Sequence, residues 1–353
     1  MKILKKFLYY FFFLTKKFFN SFSYLSITYR TFLVINFYLV DIINQFKIDN
    51  KKINIIVYDC LVSPPTFGDF FRYLMLARYI KKKGKNVKII IINEEYRGNK
   101  KNSWGRIKNN KKKINEILNL YNQVSLKLLN SNSYFMNWKF FYKNYLHNEK
   151  FNIFLKNEVE KRKPTYLYSN YYLNKYLKYE RSSFKENFIL KKNKKINIPK
   201  KISRKFISVG LRYSKISNEF RNVTIEEIIL IISKLKQKYK NIPIILLTSY
   251  EDFLNLRNSN FQKMEGVYFS KSFNKNIFDD VDIILNSKYY LQLKGGGIGD
   301  IAIFSNIRYL IIAQYPGFID KITFSKNKKT FVWQRKNQIY TFLKNTDMFF
   351  DLI

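Results

Sequence analysis

The chain has 353 residues, of which 65 are Lys or Arg and 25 are Asp or Glu, for a formal net charge of +40. With 46% apolar residues, 34 Phe and 28 Tyr it is too aromatic to be a solvated coil, and a mean hydropathy of −0.30 excludes a polytopic membrane protein. One cysteine, Cys60, and one histidine, His147, exclude an internal disulfide and a Cys/His zinc site and leave almost no room for histidine acid–base chemistry.

The lone thiol fits a reducing compartment, and His147, among Lys, Asn and Tyr, reads as a surface residue. The basic residues are spread along the whole chain and do not gather in one stripe, a pattern that A/T-rich codon usage produces. Even so, a surface this basic attracts an anionic leaflet, by about 1 kcal/mol per well-placed Lys or Arg.

Residues 1–50 form the first segment, aromatic and basic. A signal peptide is disfavoured, because Lys16 and Lys17 follow the apolar run Phe7–Leu14 and no small-residue cleavage site appears. A span over Phe18–Val40 would carry Asn20, Ser21, Ser23, Ser26, Thr28, Arg30 and Asn36 into the bilayer. Aromatic bulk flanked by Lys and Arg suits a helix lying in the membrane interface, and a folded helical hairpin is the alternative.

Residues 51–200 read as an α/β domain with a helical insert. Ile53–Tyr58 is a buried strand and Asp59–Gly68 a turn-rich loop. Asp69–Lys83 has helical spacing that ends at Gly84, and Val87–Ile92 is a second strand. Strand, helix and strand with short links make a βαβ unit and hence a parallel sheet. Helical patterns follow at Ile114–Leu129 and Tyr134–Lys156, and Lys191–Lys201, with clustered charge and a proline, reads as a linker.

Residues 201–320 are more regular. Strands are expected at Phe206–Arg212, Pro243–Thr248, Val267–Phe269, Tyr289–Leu293 and Arg308–Ala313. Between them fall helices after Thr224 (with Glu227 completing a capping box), after Ser249, over Phe278–Leu285 and over Ile298–Ser305. The alternation predicts a doubly wound, Rossmann-like half. Residues 321–353 form a tail expected to pack back as helix, with Trp333 more suited to core packing than to ligand stacking. The fold class is α/β, with two facing Rossmann-like domains.

Four motifs carry chemistry. Lys294 to Asp300 holds Gly295, Gly296, Gly297 and Gly299 between a strand and a helix, where the backbone can approach a ligand and free N–H groups can meet phosphate or sugar. It matches neither G-x-G-x-x-G nor the P-loop, which disfavours NAD and nucleoside-triphosphate binding. Arg212, at the end of a strand, and Arg221 beyond it are placed to hold a diphosphate. Asp69, at a helix start on the equivalent edge of the first half, is either a general base for an acceptor hydroxyl or the cap of its own helix. Asp280-Val281-Asp282 has the form of a metal-binding D-x-D, but it lies inside an apolar run and is read as structural, so no metal is assigned.

The Gly68–Leu76 helix start, SVGLRYS at Ser208–Ser214 followed by Arg221-Asn222, and YLQLKGGGIGDIAIFSN at Tyr290–Asn306 together resemble bacterial glycosyltransferases of the two-Rossmann, GT-B type. The likeness is to surface-polysaccharide enzymes of the fucosyltransferase-like group. It covers mainly residues 205–315, with weaker support at 53–95. The resemblance implies a nucleotide-sugar donor in the C-terminal half, held by Arg212, Arg221 and the 295–299 loop, an acceptor in the N-terminal half, and no metal or other cofactor. The His-x-Arg-Arg donor motif of some relatives is replaced by Gly210-Leu211-Arg212-Tyr213. The expectation is a peripheral protein of the inner face of the plasma membrane that transfers a sugar to a lipid-linked or polysaccharide acceptor. A basic nucleic-acid-binding protein and a noncatalytic scaffold of the same fold are the alternatives. Nucleic acid is disfavoured, since no binding-module signature is present.

Overall fold

A computed structural model describes residues 51–63, 66–94, 111–154, 156–162, 173, 177, 188–192, 196–202, 205–213, 222–259, 261, 264–274, 276–313 and 333–342. These belong to one compact unit, residues 49–315 with 329–353. The expected membrane segment at 1–50 and Arg221 lie outside the described residues.

The first half is a four-stranded parallel sheet. Strand β1 (Ile53–Asp59) is followed by helix α1 (Phe67–Lys82), β2 (Val87–Ile92), α2 (Lys111–Leu129), β3 (Ser133–Met136), the single turn α3 (Trp138–Phe141), β4 (Phe151–Ile153) and α4 (Lys156–Glu160). The sheet order is β3-β2-β1-β4. One face, with Ile55, Val57, Ile90 and Ile92, packs on Phe141, Leu146 and Val159. On the other, Tyr58 meets Phe70 and Tyr73 of α1 and Tyr121 of α2 edge-on at 5.3–5.7 Å, while Phe70 and Tyr121 stack at 4.0 Å.

The helix expected across 134–156 is not formed. Ser133–Met136 pairs with β2 and Phe151–Ile153 with β1, leaving between them only α3 and a π turn at Tyr142–Leu146. Short aromatic runs fit either period, and here two unfilled sheet edges decided the outcome. Asn137 starts the turn by accepting the Phe140 N–H at 2.8 Å.

The second half contains β5 (Ile207–Gly210), α5 (Ile225–Lys238), β6 (Ile244–Leu247), α6 (Tyr250–Leu256), β7 (Val267–Phe269), α7 (Ile277–Asn286), β8 (Tyr289–Leu293), α8 (Gly299–Ile303), β9 (Tyr309–Ala313) and β10 (Gln338–Phe342). The parallel order is β10-β9-β8-β5-β6-β7, the doubly wound 3-2-1-4-5-6 arrangement, whose direction reverses between β5 and β8. The Thr224–Glu227 capping box forms in full, and Ser249 caps α6. Ile228, Ile231, Ile232 and Leu235 of α5 bury one sheet face. The described part of the tail is a strand and not a helix: β10 runs beside β9. Trp333 is core, stacked on Phe304 at 5.1 Å and donating its indole N–H to Ile303 O at 2.9 Å.

The two sheets are locked together. Phe71 and Phe188 both contact Phe304, Phe188 also meets Trp333 edge-on at 5.7 Å, and Leu190 N–H donates to Phe304 O at 2.8 Å.

Candidate functional site

Ligands of open α/β sheets bind beyond the carboxyl ends of the strands, where the strand order reverses. Here that point lies between β5 and β8, so the chain leaving β5 brings in Leu211 and Arg212 while the chain leaving β8 brings in the glycine loop. Leu211 is fixed by donating its N–H to Leu247 O, and Arg212 O accepts from Val223 N–H, at 2.8 and 2.9 Å. The loop is tethered at its start: Lys294, in the left-handed region at φ 61°, donates from Nζ to Glu227 Oε2 at 2.8 Å and Asn222 O at 2.9 Å.

Each glycine of the loop has a reason in the protein itself. Gly295 has φ 68°. A Cβ on Gly296 would come within 2.6 Å of Gln292 Nε2, and one on Gly299 would strike Gln292 Oε1. A Cβ on Gly297 would lie 2.8 Å from Gly68 N. The close approach that four glycines signalled is therefore met by the buried Gln292 and by α1. The helix that follows is one turn long, Gly299–Ile303, shorter than the expected Ile298–Ser305.

The opposite wall is the start of α1. Thr66, not Asp69, is its N-cap: Thr66 Oγ1 accepts the Asp69 N–H at 3.2 Å and donates its own proton to Asp69 Oδ2 at 2.5 Å. The capping role considered for Asp69 thus belongs to Thr66, which leaves the Asp69 carboxylate facing the cleft as an acceptor. Tyr121 Oη donates to Thr66 O at 2.9 Å and holds this turn in place. Burial, followed by the mutual charge of the phenols, Asp69 and Cys60, pushes the Tyr58 and Tyr121 phenols well above their usual range, so both stay protonated.

Between the walls lies a cleft of about 700 Å³. Its lining includes Asp69 and Arg72 of α1, Arg212, Tyr250 at the start of α6, Lys271, Asp280, the 295–299 loop, Asp300 and Tyr340. Two ion pairs are built into this lining. Arg72 donates from Nε and Nη2 to Asp300 Oδ2 and Oδ1 at 3.1 and 3.2 Å, bridging the two halves. Burial strips water from Arg72 and lowers its affinity for the proton, but Asp300 and then Asp69 outweigh that and the net shift is upward. Lys271 and Asp280 form a buried pair. Burial raises the Asp280 carboxyl above the usual range, and Lys271 opposes the rise. Among the described residues, Asp69 and Arg212 are the other two charged side chains of the lining.

The second acid of the D-x-D triplet points elsewhere, since Asp282 pairs with Lys127 at 3.2 Å. Two carboxylates two residues apart on a helix face different sides, and each has a lysine. Among the described residues no group of three or more His, Cys, Asp or Glu is placed to hold a metal.

Asp69, Arg212 and the four loop glycines thus line one cleft from both halves. Arg72, Asp300, Lys271, Tyr250 and Tyr340 were not singled out from the sequence. Arg72 lies off the apolar stripe of the 69–83 helix, and its position one helical turn after Asp69 was the available signal. Asp300 carried one too, as the acid that closes the glycine run. Tyr340 had none, because the pairing of β10 with β9 brings it here.

No protein-family model and no curated protein matches the chain. Among solved structures it is similar to the heptosyltransferase WaaC of E. coli with ADP-2-deoxy-2-fluoro heptose, at 12% identity over 82% of this chain and 92% of that one, with a TM-score of 0.38. It is also similar to the iron-containing dodecameric glycosyltransferase TibC of enterotoxigenic E. coli H10407, at 10% identity over 76% and 59% of the two chains, with a TM-score of 0.36. The UDP-GlcNAc 2-epimerase of Methanocaldococcus jannaschii, in complex with UDP-GlcNAc and UDP, matches at 11% identity over 74% and 83%, with a TM-score of 0.32. Likeness at this level carries no chemistry from those proteins to this one.

Proposed function

We propose that the chain is a glycosyltransferase that moves a sugar from a nucleotide-diphosphate donor to a hydroxyl of a lipid-linked or polysaccharide acceptor. The observation that carries the reading is the cleft itself: Arg212 and the glycine loop at the strand reversal of the second sheet and Asp69 of the first half line one cleft of about 700 Å³, a volume within the range of small-ligand sites. In this reading Arg212, with Arg221, holds the donor diphosphate. As the bond from the anomeric carbon to the diphosphate oxygen breaks, the leaving group takes the electron pair and Arg212 offsets its charge. The acceptor oxygen forms the new glycosidic bond and its proton passes to Asp69, which acts as general base. No metal or other cofactor is assigned, and the donor is a co-substrate. The basic surface and the composition of residues 1–50 support a peripheral position on the inner face of the plasma membrane.

A thermal-shift series on the full chain with UDP, GDP, ADP and CMP tests the donor site. A nucleotide at 100 times its Kd stabilises by about 2.7 kcal/mol, a rise of a few degrees, and Arg212→Ala removes it. Equal shifts with every nucleotide that vanish as salt rises would replace this reading with general polyanion binding. Donor binding with no transfer or donor hydrolysis would identify the noncatalytic scaffold.

A further inference from the structure

The turn between β3 and β4 displays exposed apolar side chains. Phe140 is 52% exposed and Tyr142 49%, and β3, which leads into them, exposes Tyr134 at 43% on the sheet face that carries the turn, in register with Ile90. The rings of the turn are connected through buried Phe141: Trp138 to Phe141 at 5.6 Å, Phe141 to Tyr145 at 6.0 Å, Phe140 to Tyr145 at 6.4 Å, Trp138 to Tyr142 at 6.1 Å and Tyr142 to His147 at 5.0 Å. Exposed Lys139, Lys143 and Lys150 alternate with them, against one acid, Glu149, and Lys88 lies over the Tyr134 ring at 5.2 Å.

This surface is also rigidly mounted. Trp138 N–H donates to Glu94 Oε1 at 3.0 Å, and Arg162 lies over the Trp138 ring at 4.5 Å. Arg162 in turn grips Asp59 through Nε and Nη2, both at 2.9 Å, and pairs with Glu94 at 2.7 Å. Asp59 ends β1 and begins the loop that leads to Thr66 and Asp69. The aromatic surface therefore belongs to the same end of the first sheet as the acceptor-side wall of the cleft.

We infer that the surface formed by Tyr134, Phe140 and Tyr142 with Lys139 and Lys143 docks onto an anionic phospholipid leaflet. Large rings that bury in the acyl–headgroup boundary, interleaved with cations that meet lipid phosphates, are the two contributions such binding needs. A nucleic-acid partner fits less well, because exposed Phe140 and Tyr134 lie on a short helix and an edge strand and not along a groove of positive charge. The inference extends the proposed transfer to a lipid-linked acceptor by naming the surface that meets the membrane, and rests on that reading only for its purpose.

Co-flotation of the full chain with phosphatidylcholine vesicles containing phosphatidylglycerol tests it. Phe140→Ser with Tyr142→Ser is expected to lower the partition coefficient at least about ten-fold. Lys139→Ser with Lys143→Ser is expected to lower it about thirty-fold at low salt and little at high salt. Leu230→Ser with Leu254→Ser, which are also exposed, at 42% and 41%, on α5 and α6, leaves it unchanged. Unfolding midpoints and nucleotide-induced thermal shifts measured on the same variants stay at wild-type values. Unchanged partition in both test pairs would overturn the inference and assign membrane contact to other residues. Loss of oligonucleotide binding in place of vesicle binding would overturn it too. Vesicle binding that depends on these residues in a protein that binds no nucleotide would leave the docking surface standing and remove the transferase reading.

Discussion

Replacing Gly68 by Ala tests the junction between the two halves because two effects of opposite sign compete. Alanine in a helix is favoured over glycine by up to about 1 kcal/mol. Against that, a Cβ on Gly68 would lie 2.5 Å from Gly297 Cα, 2.9 Å from Asp300 Oδ2 and 3.3 Å from the Gly297 carbonyl carbon. Carbon atoms pack at roughly 3.5–4.0 Å, so the α1 backbone and the glycine loop must part by about 1 Å. Overpacking of this kind costs about 1–3 kcal/mol, and the movement also strains the Arg72–Asp300 bridge on the same contact. The clash wins, and Gly68→Ala is expected to destabilise by about 1–2 kcal/mol. In urea, with a slope of roughly 3 kcal/mol/M, the midpoint falls by about 0.3–0.7 M. Gly297→Ala, whose Cβ would lie 2.8 Å from Gly68 N, costs a similar amount. The double variant costs less than the sum, since the first substitution has already opened the gap. Gly84→Ala is the control. Nothing lies within 4 Å of its Cβ and φ is +74°, so it carries only the backbone cost of about 1–2 kcal/mol and adds independently to Gly297→Ala. A rise in midpoint for Gly68→Ala, or strict additivity with Gly297→Ala, would refute the close contact.

The buried pair in the cleft wall gives a second test. Lys271→Met leaves Asp280 charged and unpaired and is expected to cost about 3–5 kcal/mol, while Lys271→Met with Asp280→Leu recovers most of it. The Asp280 carboxyl already titrates above its unfolded value because of burial. Its favourable contribution is therefore present at low pH and lost as pH rises through the folded value. Without Lys271 that value rises further, so the deficit of Lys271→Met, read by urea unfolding, shrinks as the pH is lowered. Asp69→Asn is expected to keep the nucleotide-induced thermal shift while sugar transfer falls about 10²–10⁴-fold; a variant with wild-type turnover would remove Asp69 as the base. Burial, followed by Asp59, pushes the Cys60 thiol up to about 12, so at pH 8 only about 10⁻⁴ of it is thiolate and alkylation runs about a thousand-fold slower than for an ordinary exposed thiol. Rapid labelling of the native chain, compared with the same chain in urea, would contradict that burial.

Much of the second half was legible in the sequence because its signals are local. Thr224 and Glu227, three residues apart, complete a capping box by themselves, Ser249 caps the next helix, and the buried runs at Ile244–Leu247 and Tyr289–Leu293 have no helical alternative of adequate length. In the first half Gly84 ends α1 with a left-handed φ of +74° that only its lack of a side chain makes cheap. The strand-edge positions of Arg212, the glycine loop and Asp69 followed from the same alternation of elements. Other features are properties of pairs of distant segments. Ser133–Met136 and Phe151–Ile153 became strands because β2 and β1 had open edges, and Gln338–Phe342 became a strand because β9 did. Arg72 became part of the cleft lining because Asp300, in the second half, gave its guanidinium a two-pronged partner. The glycines at 296, 297 and 299 answer to Gln292 and Gly68 before any ligand. Capping, chain stiffness and hydrophobic period act within a few residues and can be read from a string, whereas ladder hydrogen bonds, charge pairing and steric clearance exist only once two distant segments have been brought together.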